Sequence, residues 1–290
     1  MAQLLEIKTR IRSVDSTLKI TRAMKMIATA RLAKARQRHN RVKPVYARLE
    51  TMVQRLMSSQ YAKTNPLFVK KENERILFVV FSTDRGFCGG YNSKLFNFVE
   101  EQRKEKAGYE VHLLPVGQKA VDFFDKYEFL HKGDQTISLI WEEDLFNQSR
   151  LIAQELNRVY LNGSYGEIHL VYNTFVSVLL QQPKLHPYLP MSLREETVDE
   201  VDYLFEPDEA SVFKMLLESY QILTLNMALI DLETGEHGAR MSAMDGANRN
   251  GEKLTRKLKI QYQRARQEAI TSQITEIIGG AETLRREKDE

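Results

Sequence analysis

The chain has 290 residues, enough for one large domain or two ordinary ones, and 28% of them are charged. With 42% hydrophobic residues the composition is globular, which excludes an intrinsically disordered chain. No stretch approaches the roughly 18 uncharged apolar residues of a membrane span, and the first residues lack the apolar core of a secretory signal, so we expect neither. The single cysteine, Cys88, excludes an internal disulfide and a cysteine-based zinc site, and it suits a reducing compartment.

The net charge of +3 conceals an uneven distribution. Residues 1–56 carry 14 basic and three acidic side chains, a net charge of +11. Residues 57–235 carry a net charge of −10, and residues 236–278 a net charge of +3. A basic arm predicts an anionic partner, which leaves nucleic acid, anionic lipid and an acidic protein surface open.

Helix breakers concentrate in the middle of the chain, because proline is absent from residues 1–43 and 208–290. In the first of these two arms, alternate steps of three and four residues from Leu4 to Leu56 visit sixteen positions, of which thirteen are apolar. This heptad seam predicts a coiled-coil helix of about 80 Å, in which Pro44 bends the helix or costs one hydrogen bond.

The second arm begins after Pro207, where Asp208 is the predicted N-cap. An apolar seam runs from Leu216 to Ile230 and then loses its phase across several glycines. A new seam follows at Ile270, Ile274, Ile277, Ala281 and Leu284. Since neither arm can bury its stripe alone, we predict that the two arms pack on each other. The alternative is that each arm consists of several short helices in an ordinary bundle.

The centre alternates between strand and helix patterns. We predict strands at residues 76–81, 111–116, 168–172 and 175–180, and helices at residues 93–107, 118–126 and 145–161. This order favours a mainly parallel sheet with helices on its faces. The predicted fold class is therefore α/β, with a central Rossmann-like domain and a long antiparallel coiled coil of N- and C-terminal helices. The predicted domains are residues 1–58, 75–206 and 208–286.

The first predicted strand leads into a glycine-rich loop just before a helix. Its residues include Asp84, Arg85, Gly86, Cys88, Gly89, Gly90 and Asn92. The position suits a phosphate-binding loop, but neither GxGxxG nor GxxxxGK[ST] is present. We interpret the glycines as permitting a tight turn, with Asn92 or Ser93 capping the helix. Arg85 could activate the Cys88 thiol, but without a second cysteine or a nearby histidine we expect an inert buried thiol.

No catalytic, cofactor-binding or metal-binding residues are predicted. The six histidines lie far apart in the sequence, and neither GxSxG nor HExxH occurs. A dense basic run comprises Arg31, Lys34, Arg36, Arg38, Arg41 and Lys43. No aromatic residue precedes Tyr46, so base stacking is not supported and a solvated coiled-coil face is the simpler interpretation. A nucleotide-binding α/β enzyme and a basic coiled-coil nucleic-acid binder remain the alternatives.

Four segments resemble motifs of the gamma subunit of F-type ATP synthase, the F1 central stalk, in its bacterial form. They are residues 19–28, 84–92, 239–244 and 264–281, and the resemblance covers the chain in order. The chain departs from the common pattern at Gly235, Gly238 and Gly251, where serine or alanine is usual. It also lacks the redox insertion with a cysteine pair that is typical of chloroplast members, so the resemblance implies no thiol switch.

The resemblance implies a rotor. The two terminal helices would form a shaft inside a hexamer of alpha and beta subunits, and the central domain, including the loop 84–92, would form a foot on the epsilon subunit and the c-subunit ring. One copy per complex would couple proton flow to the catalytic beta subunits and perform no chemistry itself. It would bind no nucleic acid and would lie peripherally on the cytoplasmic side of a bacterial cell membrane. The motif match assigns contacts with beta subunits to Met24, Lys25, Arg266, Gln267 and Thr271.

Overall fold

A computed structural model describes residues 2–56, 60–125, 144–192 and 205–289. The elements are α1 (Ala2–Leu56), α2 (Gln60–Thr64), β1 (Arg75–Phe81), α3 (Tyr91–Glu105), β2 (Glu110–Val116), α4 (Gln118–Phe124), α5 (Leu145–Leu161), β3 (Glu167–Phe175), β4 (Gln181–Leu189) and α6 (Glu209–Asp289). They form two compact units, Met1–Ile27 with Ala243–Glu290 and Ala28–Ser242, and both α1 and α6 contribute to each unit. Among the helices formed by the described residues, none has the length and hydropathy to cross a bilayer.

In the first unit, α1 and α6 pack as an antiparallel pair. The Thr255 hydroxyl donates to an Asp15 carboxylate oxygen at 3.4 Å, and the Lys25 ammonium donates to Asp245 at 2.5 Å. Ten residues forward along α1 therefore correspond to ten residues back along α6. Continued at this register, the start of α1 falls opposite about residue 268 of α6, since both helices rise equally per residue.

The heptad seam of α1 is confirmed along its whole length. All sixteen predicted positions from Leu4 to Leu56 are buried or half-buried. Pro44 lies inside α1 and is exposed to solvent. Because proline has no amide proton, it costs the helix one backbone hydrogen bond on this exposed face. The period of 3.5 residues keeps one stripe of the helix on its partner, which is why the pattern located the contact face correctly.

The predicted second seam of α6 does not pack on α1. Ile270, Ile274 and Ile277 are 44%, 52% and 71% exposed, and Ala281 is exposed as well. The side chain of Leu284 lies outside the described residues. The register explains the correction, because α1 begins opposite about residue 268, so the following turns of α6 have no partner helix.

The second unit contains a four-stranded sheet with strand order β2-β1-β3-β4. Strand β1 is parallel to both β2 and β3, while β4 runs antiparallel to β3. The predicted α/β class with a mainly parallel sheet is confirmed. All of Ile76–Phe81 in β1 is fully buried, as expected for a central strand covered on both faces.

The last predicted strand, at residues 175–180, is wrong. Strand β3 continues to Phe175, and residues 176–180 form the turn of a hairpin that leads into β4. Strand β4 is polar and contains Pro183 and Pro187, which a strand tolerates at a sheet edge because no ladder hydrogen bond is lost there. Its composition hid it from the sequence analysis, whereas the apolar turn resembled a buried strand.

The sheet separates two hydrophobic clusters. The face that carries Leu77, Val79 and Phe81 packs with α5 and with residues of α1 and α6. The opposite face, with Ile76, Phe78 and Val80 of β1, packs with α3 and α4. Alternate residues of one strand thus fix the helices of the second unit on both sides of the sheet.

Candidate functional site

The β1–α3 loop, residues 82–90, lies at the carboxyl edge of the parallel strands, where α/β proteins commonly bind ligands. Two side chains fix it to the start of α4. The Ser82 hydroxyl oxygen accepts from the Ala120 amide at 2.7 Å, and an Asp84 carboxylate oxygen accepts from the Gln118 amide at 2.9 Å. Asp84 therefore fixes the turn.

Inside the loop, Asn92 has a different role from the predicted one. Helix α3 begins at Tyr91 with Gly90 as N-cap and without a side-chain cap. The Asn92 amide instead donates to the Thr83 hydroxyl at 2.7 Å and to the Cys88 sulfur at 3.7 Å. The side chain thus closes the loop onto its own first residues, and the prediction that Asn92 or Ser93 caps the helix is wrong.

The Cys88 thiol is buried, and burial raises its pKa. A raised pKa means less thiolate at neutral pH, so the structure argues against a reactive cysteine. The expected inert thiol agrees with this environment.

Arg240 of α6 binds the backbone of this loop. Its guanidinium donates to the Gly86 carbonyl at 3.1 Å and to the Arg85 carbonyl at 3.4 Å, and it pairs with Glu236. Phosphate-binding loops present amide N–H groups, whereas this loop presents carbonyl oxygens to a cation. The loop therefore serves as a docking site for α6.

Glu236 and Arg240 escaped the sequence analysis as a site. Their side chains are only 8% and 11% exposed. Burial raises the pKa of Glu236, and the charge of Arg240 opposes the rise. The spacing of four residues was the available signal, but such pairs also occur on exposed helix faces.

The residues assigned to beta-subunit contacts fall in two places. Met24 and Lys25 lie on α1, where Lys25 pairs with Asp245, and this hydrogen bond lowers the pKa of Asp245. Arg266, Gln267 and Thr271 are exposed on α6, and the Thr271 hydroxyl donates to the Gln267 carbonyl at 2.9 Å. Lys25 faces residue 245, about 30 Å along α6 from Arg266, so the structure does not bring the two groups together.

The basic run on α1 is mostly a solvated face. Arg31, Lys34, Arg36, Arg41 and Lys43 are exposed. Arg38 is the exception, since it donates to Glu233 of α6 at 2.7 Å, while burial raises the pKa of Glu233. Within the described ranges, no group of three histidine, cysteine or acidic residues could hold a metal ion.

Known proteins match the chain along nearly its whole length. A family model described as ATP synthase matches residues 3–284. The ATP synthase gamma chain of Moorella thermoacetica is 38% identical, over 98% of this chain and 100% of that protein. The gamma chain of Geobacter sp. strain M21 is 36% identical with the same coverage.

Solved structures share the fold. A chain of the Euglena gracilis mitochondrial ATP synthase, in a structure of OSCP, F1 and c-ring, has a TM-score of 0.70 and 19% identity, and covers 100% of this chain and 97% of its own. The rotor of the same enzyme has a TM-score of 0.64 and 19% identity, and covers 93% of this chain and 99% of its own. The family model and the 36–38% identity to these gamma chains both extend over nearly the whole chain, including the helix pair and the sheet. The chain therefore belongs to the ATP synthase gamma chain family.

Proposed function

We propose that the chain is the central-stalk rotor subunit of a bacterial F-type ATP synthase. The observation that carries the proposal is the antiparallel helix pair, with its register set by the Asp15–Thr255 and Lys25–Asp245 contacts, in a member of the gamma chain family. Two paired helices resist bending better than one, and unlike side chains on the two helices make the pair asymmetric. A stiff asymmetric element is what a rotary mechanism needs to drive three identical sites through different states.

The chain acts without performing chemistry. The β1–α3 loop lies where a nucleotide would bind in an α/β enzyme, but its carbonyl groups accept hydrogen bonds from Arg240. The Cys88 thiol is buried. Fold alone does not confer activity, and the site must supply the chemistry. Catalysis is therefore assigned to the beta subunits.

The partners follow from the family. Related structures contain a central stalk with a c-ring in Tetrahymena thermophila, and OSCP, F1 and a c-ring in Euglena gracilis. We assign this chain an alpha and beta hexamer around residues 1–58 and 208–286, and an epsilon subunit and c-ring on the foot, residues 75–206. One copy in each complex would lie peripherally on the cytoplasmic side of the cell membrane and couple proton flow to ATP synthesis.

The exposed group on α6 supplies the contacts with beta subunits. The side chains of Arg266, Gln267 and Thr271 are exposed near the level at which α1 begins, and are therefore open to a partner. A guanidinium can bind a carboxylate through two parallel hydrogen bonds, which lysine cannot reproduce. Met24 and Lys25 form the second contact group, facing acidic loops of the beta subunits, with Asp245 competing for the ammonium.

Reconstitution tests this proposal. The purified chain is mixed with alpha and beta subunits, and assembly and ATP hydrolysis are measured for wild type, Arg266→Ala and the control Arg256→Ala, an exposed arginine on the same helix. We expect hydrolysis to fall several-fold for Arg266→Ala and to stay near wild type for the control. A wild-type chain that neither assembles with the hexamer nor changes its turnover would contradict the rotor function.

A further inference from the structure

Two loops of the second unit contact α6 within the same two turns, residues 235–240. One is the β1–α3 loop with the first residue of α3, residues 85–91, and the other is the β3–β4 hairpin, residues 175–181. We call these two loops the collar. Both belong to the sheet, so they connect α6 to the sheet at one level of the helix.

The β1–α3 loop holds α6 through polar contacts. Arg240 donates to the Gly86 and Arg85 carbonyls, and the Tyr91 hydroxyl donates to the Leu232 carbonyl at 3.3 Å. Because Arg240 is also paired with the buried Glu236, its guanidinium is held in one position. A planar guanidinium with several fixed partners is a far stiffer link than a single exposed ion pair.

The hairpin holds α6 through shape. A side chain added at Gly238 would lie 3.5 Å from the Val178 Cα, so the hairpin backbone packs directly on the helix backbone. The hairpin is itself braced, since the Gln181 amide donates to the Ser177 and Val178 carbonyls at 2.9 Å each. It therefore behaves as a preformed surface against α6.

The contacts are not confined to one side of the helix. A side chain at Gly235 would meet both loops, with the Tyr91 hydroxyl at 2.9 Å and the Gln181 Cγ at 3.3 Å. Gly238, which meets the hairpin, and Arg240, which reaches the loop carbonyls, leave the helix about 200° apart. Because these contacts lie off the helix axis and at several angles around it, they resist rotation of α6 about that axis.

We propose that the collar is a torque joint that locks the rotation of α6 to the sheet, with Arg240 as its positioning residue. The inference rests on the proposed rotor function and deepens it, because it names where torque passes between the foot and the central helix pair. Loss of the joint leaves the helix pair intact but lets it twist under load. Loss of the joint should therefore lower the number of protons moved per ATP hydrolysed, without changing the rate of hydrolysis when an uncoupler removes the load.

Membrane vesicles that contain the complete complex test the joint. The key variant is the neutral pair Glu236→Gln with Arg240→Gln, which avoids leaving an unpaired buried carboxylate. Arg240→Lys tests the geometry of the guanidinium, and Gln181→Ala weakens the hairpin side independently, because it removes the amide that braces the turn and the side chain that faces Gly235. The matched control is Arg249→Gln, because Arg249 also pairs with an acid four residues earlier, Asp245, but is 70% exposed.

Hydrolysis is measured with an uncoupler present, and proton uptake is measured in the same vesicles without it. For the neutral pair we expect unloaded hydrolysis near wild type and at least a twofold loss of protons taken up per ATP. Arg240→Lys and Gln181→Ala should show smaller losses, and Arg249→Gln none. Thermal melting of each purified chain shows whether it folds.

Two results would overturn the joint. One is a normal proton-to-ATP ratio in the folded neutral pair and in Gln181→Ala. The other is a parallel fall in hydrolysis and proton uptake at a constant ratio, which a merely structural role produces. Failure of the wild-type chain to assemble would instead contradict the rotor function itself, so the two proposals fail in distinguishable ways.

Discussion

At the scale of single residues, the glycines of α6 have unequal surroundings although they share one helix. A Cβ at Gly235 would lie 2.9 Å from the Tyr91 hydroxyl, and Tyr91 is itself buried. A Cβ at Gly246 would meet no atom within 4 Å. The first position needs glycine for close packing, whereas the second bears only the entropic cost of glycine in a helix.

Gly235→Ala should lower the free energy of unfolding by about 1–2 kcal/mol, because overpacking against Tyr91 outweighs the gain in helix propensity. Gly246→Ala, the matched control on the same helix, should raise it by about 0.5–1 kcal/mol. Urea unfolding followed by circular dichroism measures both. A stabilising Gly235→Ala would show that Tyr91 does not constrain this position.

The pair of His39 and Asp231, whose side chains are each 12% exposed, predicts a pH dependence. The hydrogen bond with Asp231 raises the pKa of His39, and the two side chains approach to 3.2 Å. A raised folded-state pKa contributes stability that is complete below the unfolded value of about 6.5 and is lost as pH rises through the folded value. His39→Gln should therefore be less stable than wild type near pH 6, and the difference should shrink by about pH 8.5.

His237 provides a control of opposite sign. Burial lowers its pKa to about 4, so the folded state loses stability as pH falls below the unfolded value of about 6.5. His237→Gln should remove part of this acid-side loss. Unfolding curves of wild type and both variants at several pH values check the two signs together, and equal pH slopes for all three would refute the assignment.

At the scale of the helices, the register of α1 on α6 determines which side chains can meet. The Thr21 hydroxyl donates to the Asn248 side chain at 2.6 Å, and Gly251 packs against Leu18. The turns from Ile270 onward have no partner in α1. The boundary between paired and unpaired turns is therefore set by where α1 starts.

Cysteines placed at Thr21 and Asn248 should form a disulfide on mild oxidation, in a Cys88→Ser background that removes the natural thiol. Cysteines at Leu4 and Ile274 are the control, because the register places Leu4 near residue 266 and leaves Ile274 beyond reach. Non-reducing gels read the result. If the control pair formed a disulfide and the Thr21–Asn248 pair did not, the result would contradict this register.

The sequence predicted these helices better than the sheet edge. The α1 seam could be located because its period of 3.5 residues repeats over sixteen positions, which few other structures produce. Strand β4 could not, since Pro183 and Pro187 argue against a strand unless its edge position is known. The seam at Ile270 has the apolar period of a buried stripe but is exposed, so periodicity alone misassigned its partner.

The loop site shows the same limit in another form. The turn itself was foreseeable from Gly86, Gly89 and Gly90, because glycine clusters between a strand and a helix indicate a tight connection. The contact with Arg240 was not, because 154 residues separate it from Gly86. Only the tertiary structure shows that a cation from α6 binds the carbonyl groups of this loop.

At the scale of the whole molecule, the β1–α3 loop lies where α/β proteins commonly bind ligands but does not have the features of a nucleotide site. The loop lacks the lysine and hydroxyl spacing of a P-loop, and its carbonyls face Arg240. An anion entering there would have to displace this contact and face exposed carbonyl oxygens. The isolated chain should therefore bind nucleotide weakly or not at all.

Calorimetry of the isolated chain with Mg-ATP should show no binding tighter than a Kd of about 1 mM, or about 4 kcal/mol. The variant Arg240→Gln is the informative companion, because it frees the loop carbonyls without creating donors and should bind no better. A micromolar Kd for wild type that is lost when Gly89 or Gly90 is replaced would revive the enzyme alternative.

The antiparallel pair also imposes an order on synthesis. The Asp15–Thr255 and Lys25–Asp245 contacts join residues 240 and 220 positions apart. At ribosomal speeds of about 5–20 residues per second, the apolar stripe of α1 waits roughly 10–50 s for its partner. Strands β1 to β4, from Arg75 to Leu189, are synthesised before α6, so the pairing of α1 with α6 is the last step. During that interval the nascent chain presents a long unpaired amphipathic helix, which makes it a natural client for chaperones that shield exposed apolar surface.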